Sequence, residues 1–236
     1  HLIERHPDQI KADDGTARDC ATGAAFELSE FAAAPLALAG TLVAEDLCLM
    51  EATGEVGYRL TAGVLCFPLH WSLAQKLGRP IDLIHEPVPS FEERLATPVD
   101  RFFRRLEPAR PVWRANWSLV DTTELFLPPA HRGTASAFDS ERPGQTLWLR
   151  TERQTLRRLP KTRAILFTIR TRVEPLEDVV AEPGVTAALA ARVREMPEPL
   201  ARYKGILPIR DALLAYLDRL SNGDGGSAPS GLPMTG

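Results

Sequence analysis

The chain has 236 residues, 44% of them hydrophobic and 25% charged, which is the make-up of an ordinary globular protein large enough to bury a core. A net charge of −3 excludes a global pull toward nucleic acid or anionic membrane. No apolar run approaches the roughly 18 residues that a membrane-spanning helix needs.

In chain order, residues 1–40 are Ala-rich and weakly patterned, 41–220 read as a single domain, and the Gly/Ser/Pro-rich 221–236 reads as a disordered tail. No signal peptide is evident, and because the chain begins with His1 rather than Met, targeting stays open from that end. Within the domain, 47–53 and 58–67 read as two strands joined at Gly54-Glu55-Val56-Gly57. Tyr58, Leu60, Ala62, Val64 and Cys66 share one face, and Pro68 ends the second strand. Ser72 caps a helical turn that Gly78 and Pro80 stop near Leu77. Ser90 is placed to cap a helix holding Phe91 and Leu95. Thr97 as N-cap and Pro98 at the first helical position then start another, which buries Val99, Phe102, Phe103 and Leu106. Strands follow at 113–120, 146–153 and 163–172. A polar connector with Pro128, Gly133, Pro143 and Gly144 separates the first two, and the link 154–161, with room for a helical turn, separates the last two. Helices at 185–195 and 209–220 close the domain.

Two strands, a helical crossing and three further strands is the order of a PAS-type domain. The predicted class is therefore α+β, a PAS-like five-stranded antiparallel sheet with a helical connector and additional C-terminal helices. Such a sheet buries one face under the connector and can enclose a flat cofactor.

Cys20, Cys48 and Cys66 are an odd, widely spaced set without Cys-x-x-Cys or Cys-x-x-Cys-His, which argues against a zinc knuckle and covalent haem. They read as reduced thiols of a cytoplasmic protein, two of them in core strands. There is no G-x-G-x-x-G after a strand, no P-loop and no H-E-x-x-H, so the chain is not expected to bind a nicotinamide cofactor itself.

Among five histidines, His85 sits in Ile84-His85-Glu86-Pro87-Val88-Pro89, pinned between an apolar residue and two prolines. It is a candidate metal or haem ligand, or else a helix-end histidine bonded to a backbone carbonyl. His70 competes from a loop; His1, His6 and His131 read as solvent residues. In the strand 146–153, alternation puts Trp148, Arg150 and Glu152 on one face and Arg153 on the other. If that face looks inward, its carboxylate needs a partner. An alkylammonium with Trp148 as a cation–π wall is one partner, and an exposed Arg150–Glu152 pair is the alternative. Arg170 and Arg172 end the last strand, with Arg153 or Arg157 nearby; each is an anion clamp or a solvated arginine. Arg101, Arg104 and Arg105 form a solvated helix face or a docking patch for a partner.

Several blocks occur together in one order: Phe67-Pro68-x-x-Trp71, Lys76-x-Gly78-x-Pro80, Ile84-His85-x-Pro87-Val88-Pro89, Val99-Asp100-Arg101-Phe102-Phe103, Asn116-Trp117, the run Leu149-Arg150-x-Glu152-Arg153-Gln154 through Leu159-Pro160, and Tyr203-Lys204-Gly205. On these blocks the chain resembles the alpha subunit of haem-dependent oxidative N-demethylases, over residues 47–220, with a poor match before residue 41. The resemblance implies haem b with His85 as axial ligand and Arg153 or Arg157 on its propionates. It implies Glu152 and Trp148 holding a small secondary amine such as dimethylamine, with Arg150 or Arg170 tuning or anchoring the site. Dioxygen would be consumed and formaldehyde released. A separate reductase, carrying flavin or iron–sulfur and using NADPH, would supply electrons. One departure is Trp148, where an aromatic hydroxyl is expected four residues before the glutamate. The competing readings are a haem-based gas or redox sensor without turnover, and a haem-free small-ligand module.

Overall fold

The computed structural model describes residues 6–54, 57–89, 96–131 and 137–223. Its frame is a five-stranded antiparallel sheet in the order β5-β4-β8-β7-β6. These strands are β4 (Glu45–Ala52), β5 (Tyr58–Val64), β6 (Val112–Val120), β7 (Trp148–Arg158) and β8 (Ile165–Pro175). The first and last strands therefore lie side by side at the centre. The class is mixed α+β.

The weakly patterned N-terminal segment is ordered into a small antiparallel sheet, β1 (Ile10–Asp13), β2 (Thr16–Asp19) and β3 (Ala25–Glu27). Strands of three and four residues are too short to show alternation, so this sheet left little trace in the sequence pattern. Helix α1 (Pro35–Thr41) then packs on β5. The approach is close because Gly40 has no side chain; a Cβ there would lie 2.6 Å from a Val64 methyl.

The crossing from β5 to β6 contains α2 (Leu73–Lys76), α3 (Ile81–Ile84) and α4 (Ala96–Arg105). Ser72 caps α2 as expected, its Oγ accepting from Gln75 N. The proposed helix from Ser90 with Phe91 and Leu95 lies outside the described residues. Two expectations for the next helix are corrected. It begins at Ala96, so Thr97 is inside its first turn rather than its cap, and Phe102 is 40% exposed while Phe103 and Leu106 are buried. The link 154–161 is also corrected: it is not helical but continues β7 to Arg158 before a tight return to β8.

Arg158 explains that extension. It is buried, and its guanidinium donates to the carbonyls of Leu106 (2.7 Å), Arg163 (2.7 Å) and Phe103, and to the Tyr58 hydroxyl (2.9 Å). One planar fork thus ties the end of α4 to the β7–β8 turn and to β5. A cluster of Cys48, Met50, Leu60, Phe103 and Ile165 forms the core between sheet and crossing.

After β8 come α6 (Leu176–Val180), α7 (Val185–Glu195), α8 (Glu198–Tyr203) and α9 (Arg210–Gly223); a short α5 (Pro143–Thr146) precedes β7. They build a second core around Leu176, Val193, Leu213 and Leu217 against Leu119 of β6. Helices α7 and α9 fall where the apolar spacing put them. Among the described residues no helix is long and apolar enough to cross a membrane.

Candidate functional site

Between the two cores lies a cavity of about 1320 Å³. Its floor is the sheet face carrying Met50, Leu60, Leu156, Phe167 and Ile169; the 69–88 crossing, α4 and the α8 end close it. It exceeds the roughly 300–1,000 Å³ of common small-molecule sites, so it can take a cofactor together with a substrate.

His85 lines this cavity at the C-terminal end of α3. Its backbone N–H donates to Ile81 and Asp82 carbonyls, which closes the short helix and fixes the side chain's origin. Its Nδ1 lies 2.8 Å from the Ile81 carbonyl. A carbonyl only accepts, so Nδ1 carries the proton and the neutral ring's lone pair is on Nε2. Burial holds the pKa below the ordinary histidine value, against the opposing Ile81 bond, and the Lys76 and Arg114 charges push it the same way. The backbone-bonded and ligand readings of His85 are therefore compatible, one for each ring nitrogen. His70, held at φ +60° with its N–H on the Leu127 carbonyl, and the exposed His131 also line the cavity.

Glu152 stands on the sheet floor and is 9% exposed. The β7 face with Arg150, Glu152, Gln154 and Arg158 is the buried one, so the Arg150–Glu152 pair is interior rather than a surface pair. Strand register sets Glu152's partners. Asn116 is directly opposite Glu152, and Arg114 opposite Gln154. Gln154 Nε2 donates to Glu152 Oε2 at 2.9 Å, Asn116 Nδ2 donates at 3.4 Å, and Arg114 Nε donates to Gln154 Oε1 at 2.8 Å. Lys204, at the end of α8, donates to the Trp117 carbonyl at 2.6 Å and to Asn116 Oδ1 at 3.2 Å. Burial lowers the Lys204 pKa, and Glu152 opposes that shift.

Arg150 is fully buried behind this row and does not line the cavity. It donates to the Phe67 carbonyl (2.6 Å) and the Leu125 carbonyl (3.0 Å), and its Nε is 3.8 Å from Glu152 Oε1. Asp46, also fully buried, accepts from the Cys66 and Phe67 N–H groups at 2.6 and 3.1 Å. Burial raises its pKa above the ordinary carboxylate value despite those two bonds. Together Arg150 and Asp46 clamp the 66–67 corner that delivers His70 and Trp71 to the cavity.

The structure does not bring the remaining candidates to this space. Trp148 is half-buried at the start of β7 and does not line the cavity. Arg153 and Arg170 are opposite one another on the outer sheet face, where Arg153 stacks on Trp113 (5.5 Å) and Arg170 faces Glu45 (3.9 Å). Arg157 has the same strand parity as Arg153 and is not on the cavity wall either. The period of two sends all three away from Glu152. Arg114, Gln154 and Lys204 are the site residues the sequence reading did not single out. Gln154 and Lys204 lay inside quoted motif blocks, whereas Arg114 became significant only through register.

The family model for haem-dependent oxidative N-demethylase, alpha subunit-like, matches residues 1–214. The chain belongs to this family. The match takes in the N-terminal segment that the motif blocks left out. The family's description carries a haem-dependent oxidative function and an alpha-subunit role, hence an enzyme of more than one subunit. Among the described residues no three His, Cys, Asp or Glu side chains converge on a metal position. Haem asks less of its protein: an axial ligand, an apolar slot and cations for its carboxylates. The cavity supplies apolar walls, imidazoles, and the cationic side chains Lys76 and Arg202, while Arg114 and Lys204 stand beside the Glu152 row.

Proposed function

We propose that this chain is the haem b subunit of an enzyme that oxidatively N-demethylates a small, dimethylamine-like secondary amine. The supporting observation is a half-buried, neutral imidazole and a buried carboxylate on the walls of one large, mostly apolar cavity. His85 would hold the iron through Nε2, with the Ile81 carbonyl orienting the ring and raising its basicity. The bound haem would supply dioxygen activation, so that the N-methyl carbon leaves as formaldehyde while dioxygen takes two electrons and two protons and one of its atoms becomes water. Glu152 would receive the substrate ammonium, steadied by Gln154 and Asn116, while Arg150 sets the carboxylate's position from behind. The apolar walls exclude water and strengthen that ion pair.

A separate reductase, with flavin or iron–sulfur and NADPH, would provide the electrons; the alpha-subunit description supports a partner. The strand order and the crossing that covers one sheet face support a PAS-like assignment. Three cysteines without a disulfide suit a reducing cytoplasm.

The experiment is an ultraviolet–visible titration with hemin, then with dimethylamine. A Soret band that shifts with the amine, is lost in His85→Ala and loses its amine response in Glu152→Gln supports the reading. A Soret band indifferent to amines would favour a sensor. No Soret band would leave a haem-free binding module.

A further inference from the structure

The wall around Glu152 carries more positive charge than a bare dialkylammonium requires. Arg150 Nε is 3.8 Å from Oε1. Lys204 is joined to the carboxylate's neighbour Asn116, and Arg114 is joined to Gln154, which itself bonds Glu152. Three cations thus surround one carboxylate. Asp46, the other acid on this side, is engaged by the Cys66 and Phe67 N–H groups and does not line the cavity. Asp121 and Glu124 also line the cavity, but Asp121 is five residues beyond Asn116, about 16 Å along extended chain. A lone ammonium entering beside Glu152 shares that carboxylate with cations already there, which weakens its hold. A ligand that also brings a negative charge satisfies those cations as well.

Donor capacity points the same way. An ammonium has three donors, and Lys204 spends two on the Trp117 and Asn116 oxygens. Arg114 uses only Nε among the described residues, leaving the flat end of its guanidinium for a planar, two-oxygen acceptor. Gln154 lies between Arg114 and Glu152, accepting from the cation and donating to the anion. An amino-acid zwitterion repeats that alternation, its carboxylate accepting from Arg114 and Lys204 while its ammonium donates to Glu152.

We propose that Arg114 and Lys204 form a carboxylate-binding site beside Glu152, and that the amine this cavity takes is a zwitterionic N-methyl amino acid. The proposal rests on Glu152 as holder of the ammonium. A carboxylate at that place has two possible sources, the amine itself or a propionate of the bound cofactor, and the test separates them.

N-methylglycine, dimethylamine and acetate are titrated calorimetrically into the protein before and after hemin loading, and hemin uptake is followed at the Soret band. The wild-type protein is expected to bind N-methylglycine about ten-fold or more tightly than dimethylamine, the scale of one charge-assisted contact pair. Arg114→Gln and Lys204→Met are expected to abolish that preference while hemin uptake stays within about two-fold, a change worth only a few tenths of a kcal/mol. If both variants instead lose hemin and keep the ligand preference, the carboxylate is a propionate and the amino-acid reading is overturned. A wild-type protein that prefers dimethylamine overturns it without recourse to variants. If Glu152→Gln leaves both amines unaffected, the reading of Glu152 fails. If hemin gives no Soret band but the N-methylglycine preference persists, the haem assignment fails and this site stands.

Discussion

Replacing Arg158 with Met keeps the length and apolar stem of the side chain and deletes one guanidinium. Four acceptors lose their donor: the Leu106, Phe103 and Arg163 carbonyls and the Tyr58 hydroxyl. Three of them sit where water does not readily replace the lost bond, since Arg158 is 4% exposed and Tyr58, Phe103 and Leu106 are buried, whereas Arg163, in the return to β8, is exposed. A buried group left unsatisfied costs about 1–3 kcal/mol, and the tyrosine hydroxyl can rotate, so about 4 kcal/mol is the expected sum. That is a large share of the roughly 5–15 kcal/mol that holds a typical domain folded. At about 2–4 °C per kcal/mol for a chain of this size, the midpoint should fall by about 8–16 °C. The assay is thermal unfolding followed by circular dichroism, with Arg158→Lys alongside. Lysine keeps the charge but not the planar fork, and should lie between the two. The α4 wall carries Phe103 into the cavity, so hemin uptake should weaken in step. A midpoint shift below about 2 °C in Arg158→Met, equivalent to less than 1 kcal/mol, would refute the view that this arginine joins crossing, hairpin and sheet.

His85→Ala should abolish hemin binding yet change the unfolding midpoint by only about 2–4 °C, the scale of the Nδ1–Ile81 bond; a larger drop with retained hemin would contradict the ligand role. The burial-lowered pKa of His85 fixes a pH dependence. Between the folded pKa and the ordinary value of 6.5 the unfolded chain binds the proton and the folded chain does not, so stability falls as pH drops below about 6.5 and the loss is complete below the folded pKa. His85→Ala should lack that part of the acid profile in denaturant titrations across the window. Gly144→Ala should cost about 1–3 kcal/mol, because a Cβ there would land on the Tyr216 hydroxyl and lie 2.8 Å from its ring carbon; an unchanged midpoint would mean α5 and α9 are not packed as described. Thiol titration of the native protein at pH 8 should find the exposed Cys20 and Cys66, with Cys20 faster because burial raises the Cys66 pKa. Cys48, buried and pushed up to about 12, should react only on unfolding.

Much of this architecture was legible along the chain. All five strands of the main sheet, α7 and α9 follow from alternation or helical spacing, because a face that is buried must be apolar at the matching period. Alternation in β7 likewise determined that Arg150 and Glu152 share a face and that Arg153 does not. The pinning of His85 between Ile84 and two prolines was local information too, and so were the motif blocks. Their order carried the resemblance, and the family match bears it out.

The tertiary structure decided what no window of sequence contains. Which face of β7 looks inward depends on the crossing and the C-terminal helices that cover it, and that choice made the Arg150–Glu152 pair interior. Register between β6 and β7 put Arg114 across from Gln154 and Asn116 across from Glu152, and a shift of one residue would have sent those side chains to the other face. Arg158 falls in the link 154–161, and only its four acceptors, drawn from three separate segments, show it to be a buried tie. Lys204 comes 52 residues after Glu152 in the sequence and meets it only because α8 folds back over the β6 strand. Local periodicity is written by burial within one element. Charge balance at the cavity wall is the sum over several elements, and that sum exists only once they are packed.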